Sequence, residues 1–164
     1  MSVVGLASST ARASSVTLGR GRVLAANASD RRVLIVSGDR QRAGATAEVL
    51  AVAGYAAARA SFAEAPSAAP TYLPDLVVVD FVSAGRSDAV AIAALQEAPG
   101  ADVPTVALVG RSDARTRDRA RRARISTLIS IFTSAENLLT TLDRILRSTD
   151  EKRKQLRRNG EGDG

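Results

Sequence analysis

The apolar residues of this chain fall into five short runs, separated by segments in which apolar positions recur at helical spacing. "RVLIVS" (32–37) and the "LVVV" inside "YLPDLVVVDF" (72–81) are continuous rather than alternating, as strands covered on both faces are. "YAAARA" (55–60), "VPTVALVG" (103–110) and "STLISIF" (126–132) complete the predicted strands. Helices are predicted over about 39–53, 61–69, 86–97 and 112–123, with a last one opening near 133. Gly54 stands where a helix C-terminus favours a left-handed residue. Pro70 and Pro74 are expected to end the second helix, and Pro99 with Gly100 the third. In the third helix, Val90, Ala91, Ala94 and Leu95 form the expected inward face. In the last, Thr133 and Glu136 read as a capping box, and Leu138, Leu139, Leu142, Ile145 and Leu146 share one face.

Strand and helix alternate five times, which implies a doubly wound parallel sheet. The expected fold class is α/β, flavodoxin-like, a single domain whose five strands run in the order 2-1-3-4-5. Residues 30–148 would form this domain. Residues 1–29 carry Ala, Ser, Gly and Arg without useful periodicity and read as a disordered arm, loosely like an organellar transit peptide but more simply a flexible extension or a mis-assigned start. Residues 149–164 read as a polar, flexible tail.

Composition changes this picture in two places. The chain has no Cys and no His, which removes thiol chemistry, disulfides, zinc sites of the usual kind and imidazole catalysis. With 3% aromatic residues and no Trp, the core must be built from Val, Ile, Leu and Ala. No apolar stretch approaches the roughly 18 residues of a membrane span, and a reducing cytoplasm suits a chain without Cys.

The net charge of +6 is unevenly distributed. Residues 1–29 hold Arg12, Arg20 and Arg22 without an acid, and residues 111–124 hold seven arginines against two aspartates. Within the second group Arg115, Arg119 and Arg122 lie on one helical stripe, with Arg117, Arg121 and Arg124 beside it. Read alone, the stripe is a solvated surface, a docking surface for an acidic protein, or a phosphate-binding patch. No aromatic residue interleaves with the arginines, which disfavours nucleic acid.

Candidate chemistry centres on Asp80, at the carboxyl end of the third strand, where open α/β sheets carry their functional groups. From about Arg31 to Ser148 the chain resembles the receiver domain of bacterial response regulators (the CheY-like fold). "VLIVSGDRQR" with its later "AGY" matches the first strand, first helix and the glycine–aromatic turn. "PDLVVVD" matches the strand of the phosphoacceptor aspartate, and "VPTVALVG" and "SIFTSAENLL" match the fourth strand and the fifth strand with its helix. The resemblance implies an aspartate that accepts a phosphoryl group beside a bound Mg²⁺. An acidic pair would hold the metal, a Ser or Thr and a Lys would hold the phosphoryl group, and a proline would follow the Lys.

Here the acidic pair falls on Ser37 and Gly38, the hydroxyl position on Val109, the Lys on Ile131 and the proline on Phe132. Mg²⁺ wants oxygen ligands and usually one or two carboxylates, so neither metal nor any other cofactor is expected. The only lysines are Lys152 and Lys154 in the tail, and Arg111 alone is placed to reach inward. Asp39 is expected to cap the first helix rather than bind metal. Asp80 is thus read as the vestige of a phosphoacceptor, and Ile131 with Phe132 as apolar filling of the pocket.

The expected function is that of a stand-alone, degenerate receiver domain, not an enzyme, signalling through protein–protein contact. Its partner would be an acidic protein, or a second copy through the fourth helix, fifth strand and fifth helix, onto which the resemblance places the arginine stripe. Two alternatives stand: an atypical receiver that is still phosphorylated on Asp80, and a small nucleotide-binding protein of flavodoxin-like fold. The first loop, "SGDRQRAG", matches no phosphate-binding glycine motif.

Overall fold

A computed structural model describes residues 30–86, 88–97 and 102–160. The predicted arm, the break at Pro99 and Gly100, and the last four residues lie outside the described residues. The elements run β1 (Arg32–Val36), α1 (Arg40–Val52), β2 (Ala56–Ala60), α2 (Ala65–Tyr72) and β3 (Leu76–Asp80). They continue with α3 (Asp88–Glu97), β4 (Thr105–Val109), α4 (Ala114–Arg122), β5 (Thr127–Ser130) and α5 (Ala135–Gly160). The five strands pair in parallel in the order β2-β1-β3-β4-β5, as expected.

Period-two geometry sends alternate residues of each strand to opposite faces. Val33, Ile35, Leu76 and Val78 meet Leu50 of α1 and Leu139, Leu142 and Leu146 of α5. Leu34, Val36, Val77 and Val79 meet Phe62, Ile92, Leu95 and Ala120 on the side of α2, α3 and α4. Every residue of β3 is buried, which explains its unbroken apolar run. Among the described residues no helix is long and apolar enough to cross a membrane.

Three local expectations are corrected. Pro70 lies inside α2 rather than ending it. Its ring is exposed and costs only one backbone bond, and the helix stops instead at Leu73, left-handed at φ 53°. In α3 the stripe that meets the sheet is Ile92 and Leu95, and Val90 is 76% exposed, because it lies about two residues' rotation, roughly 200°, from Ile92. The cap of α5 is Ser134, whose hydroxyl accepts from Asn137 N at 3.1 Å, one residue beyond the expected Thr133.

The largest difference is at the C-terminus, where α5 continues past Ser148 through the expected tail to Gly160. The extension is rich in Glu, Lys, Gln and Arg, good helix formers. It is also tied to the body: Arg31 pairs with Asp150, and Arg153 donates to the Asp102 carbonyl at 3.3 Å.

Candidate functional site

The strand order reverses direction between β1 and β3, so the loops after these strands diverge over the carboxyl edge of the sheet, the usual place for a site in such folds. Ser37 follows β1 and Asp80 ends β3. Asp80 is 1% exposed, and each carboxylate oxygen is held by two donors. Oδ2 accepts from Ser37 Oγ at 2.8 Å and from an Arg42 guanidinium nitrogen at 2.7 Å. Oδ1 accepts from the backbone N–H groups of Val82 at 3.0 Å and Ser83 at 3.3 Å.

A second layer of bonds closes the loops over this carboxylate. Gly38 N donates to Ser83 Oγ at 2.9 Å, Asp39 N donates to Ser37 Oγ at 2.9 Å, and the two serine hydroxyls lie 3.2 Å apart. Ser37 has one hydroxyl proton and three acceptors in reach: Asp80 Oδ2, the Asp39 carbonyl and Ser83 Oγ. The carboxylate is the strongest acceptor and takes it. No buried side-chain polar atom among the described residues lacks a partner.

Arg42 was not expected here; Arg111 was. Arg111 is exposed and makes no hydrogen bond among the described residues, so the inward-reaching arginine comes from α1 instead. Asp39 caps that helix, accepting from Arg42 N at 3.0 Å, as expected. Arg42 therefore sits in the first turn, and its side chain points back over the strand ends. Its guanidinium also lies 3.2 Å from the Asp39 carboxylate. A sequence signal existed: α1 has no acid in its first turn but carries Arg40 and Arg42 there, against the helix dipole. A cation so placed needs a local anion, and Asp80 and Asp39 supply it.

Burial is the largest influence on the Asp80 carboxyl and pushes its pKa up. Hydrogen bonds from Arg42, Ser37 and Ser83 and the charge of Arg42 together outweigh it, holding the group below the usual carboxylate value. Asp80 is thus a buried carboxylate with an internal counter-ion.

The receiver fold implies Mg²⁺ at this place, and the residues present do not fit it. The metal would need Asp80 oxygens that already accept from four protein donors, while Asp39 is engaged by the helix it caps. Among the described residues no three Asp or Glu side chains cluster as metal ligands would. A side chain at Gly38 would bring its Cβ to 3.3 Å from the Ser83 carbonyl, so the closed loop also resists a restored acid there.

The other two support positions carry apolar side chains. Val109 is buried with the α2–α4 side of the core, and Ile131 is half-buried against the α1–α5 side. Phe132 corrects the expectation of pocket filling: it is 82% exposed in the turn after β5, and the side chain that meets Asp80 is Arg42. Phe132→Ser should consequently leave stability within about 0.5 kcal/mol of wild type. Ile131→Lys should cost only about 1 kcal/mol, since its amine can extend to water along the half-buried stem. Thermal unfolding of both variants checks this, and a loss of several kcal/mol in Phe132→Ser would contradict the exposed position.

The arginine stripe keeps the expected grouping, but Arg115, Arg119 and Arg122 lie toward α3 and not on the face of α4, β5 and α5 where they were expected. Arg115, Arg119 and Arg122 turn toward α3 and line a groove between α3 and α4 with Arg86, Ala89 and Ala93. The arginines on the β5 side of α4 are Arg117, Arg121 and Arg124, beside Ile125 and Leu128. Nor is Arg119 a free surface residue. Its guanidinium donates to the carbonyls of Phe81 at 3.3 Å, Ala84 at 2.9 Å and Gly85 at 3.3 Å, and lies 4.8 Å from the centre of the Phe81 ring.

No protein-family model matches the chain. No curated protein matches it either. Solved structures do. The chemotaxis protein CheY4 of Vibrio cholerae superposes with a TM-score of 0.64 at 19% identity, over 70% of this chain and 97% of that one. A CheY-like receiver domain protein of Methanospirillum hungatei JF-1 gives 0.64 at 17% identity, over 74% and 98%. A response regulator of Desulfuromonas acetoxidans gives 0.62 at 21% identity, over 71% and 97%. At these identities the likeness speaks for the architecture, and it agrees with the strand order: the chain has the CheY-like fold of response regulator receiver domains.

Proposed function

We propose that this chain is a degenerate receiver module that signals by protein–protein contact, without phosphorylation of Asp80 and without Mg²⁺. The observation that carries the reading is the saturation of Asp80: a buried carboxylate with four donors, one of them a charged arginine, offers no free oxygen to attack a phosphoryl donor. A phosphoryl group would add about two negative charges where Arg42 already neutralises one, and it would have to displace the loop that Ser83 fastens to Gly38. The arginine thus does permanently what phosphorylation and a metal would do transiently. It holds one arrangement of the loops, and the module acts as a fixed docking surface rather than a switch or an enzyme.

Incubation with acetyl phosphate and Mg²⁺, read by intact mass and hydroxylamine sensitivity, tests this directly. No adduct is expected on the wild-type protein. A hydroxylamine-sensitive phosphoryl adduct that disappears in Asp80→Asn would overturn the reading in favour of an atypical phospho-receiver.

A further inference from the structure

We propose that the groove between α3 and α4 docks an acidic, amphipathic helix of a protein partner. This rests on the reading of the chain as an interaction module and adds where it binds and what it binds. The groove has a volume of about 900 Å³, far more than a lone ion needs. Its floor is apolar and shallow: Ala89 and Ala93 lie one turn apart on α3 with Ile92 beneath, and such small side chains admit a close helix backbone.

The rims of the groove are cationic. Arg115, Arg119 and Arg122 recur at the spacing of one helix face and span roughly 10 Å along α4. Arg86 stands before α3. Among the described residues, Arg86, Arg115 and Arg122 form no ion pair, and the groove's one acid, Asp118, pairs with Arg121 at 3.3 Å. Among the described residues these rim arginines are therefore left without a salt-bridge partner.

Arg119 makes the site partly preorganised. Its guanidinium has five N–H donors, and its three carbonyl contacts and the Phe81 ring hold its orientation. The remaining donors are offered with little further loss of side-chain freedom. Arginine forks match carboxylates in a bidentate way. A helix with Glu or Asp on its flanks and small apolar residues between them would satisfy rims and floor together, in the helix-in-groove mode. Nucleic acid fits less well, because the ring that could stack on a base, Phe81, is 5% exposed beneath Arg119.

The test uses the full chain and a fluorescein-labelled synthetic helical peptide that carries Glu along two flanks of a Leu/Ala face. A peptide with Lys for Glu and a single-stranded oligonucleotide serve as comparison probes. Anisotropy should show saturable binding of the acidic peptide alone, weakening as salt rises. R115E/R122E should weaken it by about tenfold or more. R117E/R121E, with the same charge change on the other side of α4, should alter it less than about threefold. Ala93→Trp, at an exposed position, should also abolish binding by filling the floor without changing charge.

Several results would overturn the proposal: absence of saturable binding, equal losses in the two double variants, or retention of binding in Ala93→Trp. Tighter binding of the oligonucleotide with the same R115E/R122E dependence would make the groove a nucleic-acid site instead. Acetyl phosphate treatment of the same preparation separates the two readings. An adduct on Asp80 would refute phosphorylation-independent function while leaving the groove result standing.

Discussion

Arg42→Ala is expected to destabilise the protein by about 2–3 kcal/mol, lowering Tm by roughly 10 °C. The substitution leaves Asp80 buried with Ser37 and two backbone N–H groups as donors but without a compensating charge. Breaking a buried pair from one side costs more than the pair contributes, because the orphaned ion stays desolvated. Asp80→Asn should also destabilise, since it sets an amide against the Arg42 guanidinium, 2.7 Å from Oδ2. In the double variant the two losses should partly cancel: the Asn oxygen can accept from Val82 and Ser83 and its amide can donate to Ser37. A double-mutant cycle should then show coupling of at least ~1 kcal/mol. Simple additivity would mean that the two side chains do not interact.

The same pair predicts a pH dependence with a definite sign. The folded-state pKa of Asp80 is depressed. Its contribution is therefore complete above the unfolded carboxyl value of about 3.9, and is lost as pH falls through the lower folded value. Wild-type stability should fall in this acidic window, and less steeply in Asp80→Asn. A window of the same depth in both proteins would assign the proton uptake to other carboxylates.

The second large effect is expected at Arg119. Arg119→Ala removes three charge-assisted bonds to the β3–α3 loop and the contact with Phe81. The expected cost is about 2 kcal/mol, at the lower end for charged hydrogen bonds because the guanidinium is only partly buried. Its local signature should be faster hydrogen exchange in the loop that holds Asp80, at Val82 and Ser83 above all. Arg119→Lys should recover little, because a single ammonium cannot reach carbonyls of Phe81, Ala84 and Gly85 at once. Unchanged exchange in Arg119→Ala would show that the loop is held by Ser83 and Asp80 alone.

The architecture was legible in the sequence because parallel strands buried on both faces must be apolar at every position. "VLIV", "LVVV" and "VALV" could hardly be anything else once helical segments separated them. Gly54 (φ 91°) and the Asp39 cap of α1 were legible for a similarly local reason, since each answers a backbone requirement within a few residues. Asp80 at a strand end, with Ser37, Gly38, Val109 and Ile131 where the resemblance expects an acidic pair, a hydroxyl and a lysine, was also written in the chain.

What local pattern could not decide was which side chains meet across the loops. Arg42 and Asp80 are separated by 38 residues, as are Arg119 and Phe81. Periodicity places each arginine on a helix face but does not say which neighbour that face meets. Only the packing of α1 over the β1–β3 edge turns Arg42 into the counter-ion of Asp80. Only the packing of α4 beside α3 converts an apparently solvated stripe into a tether and a groove. Phe132 and the far end of α5 follow the same rule, one facing water despite its apolar ring, the other helical where Asp150 meets Arg31. Sequence determined the strands and the cap of the first helix, because burial and backbone bonding act locally. Tertiary structure decided the pairing of charges, because a long flexible arginine finds its partner only after the elements that carry both have been packed together.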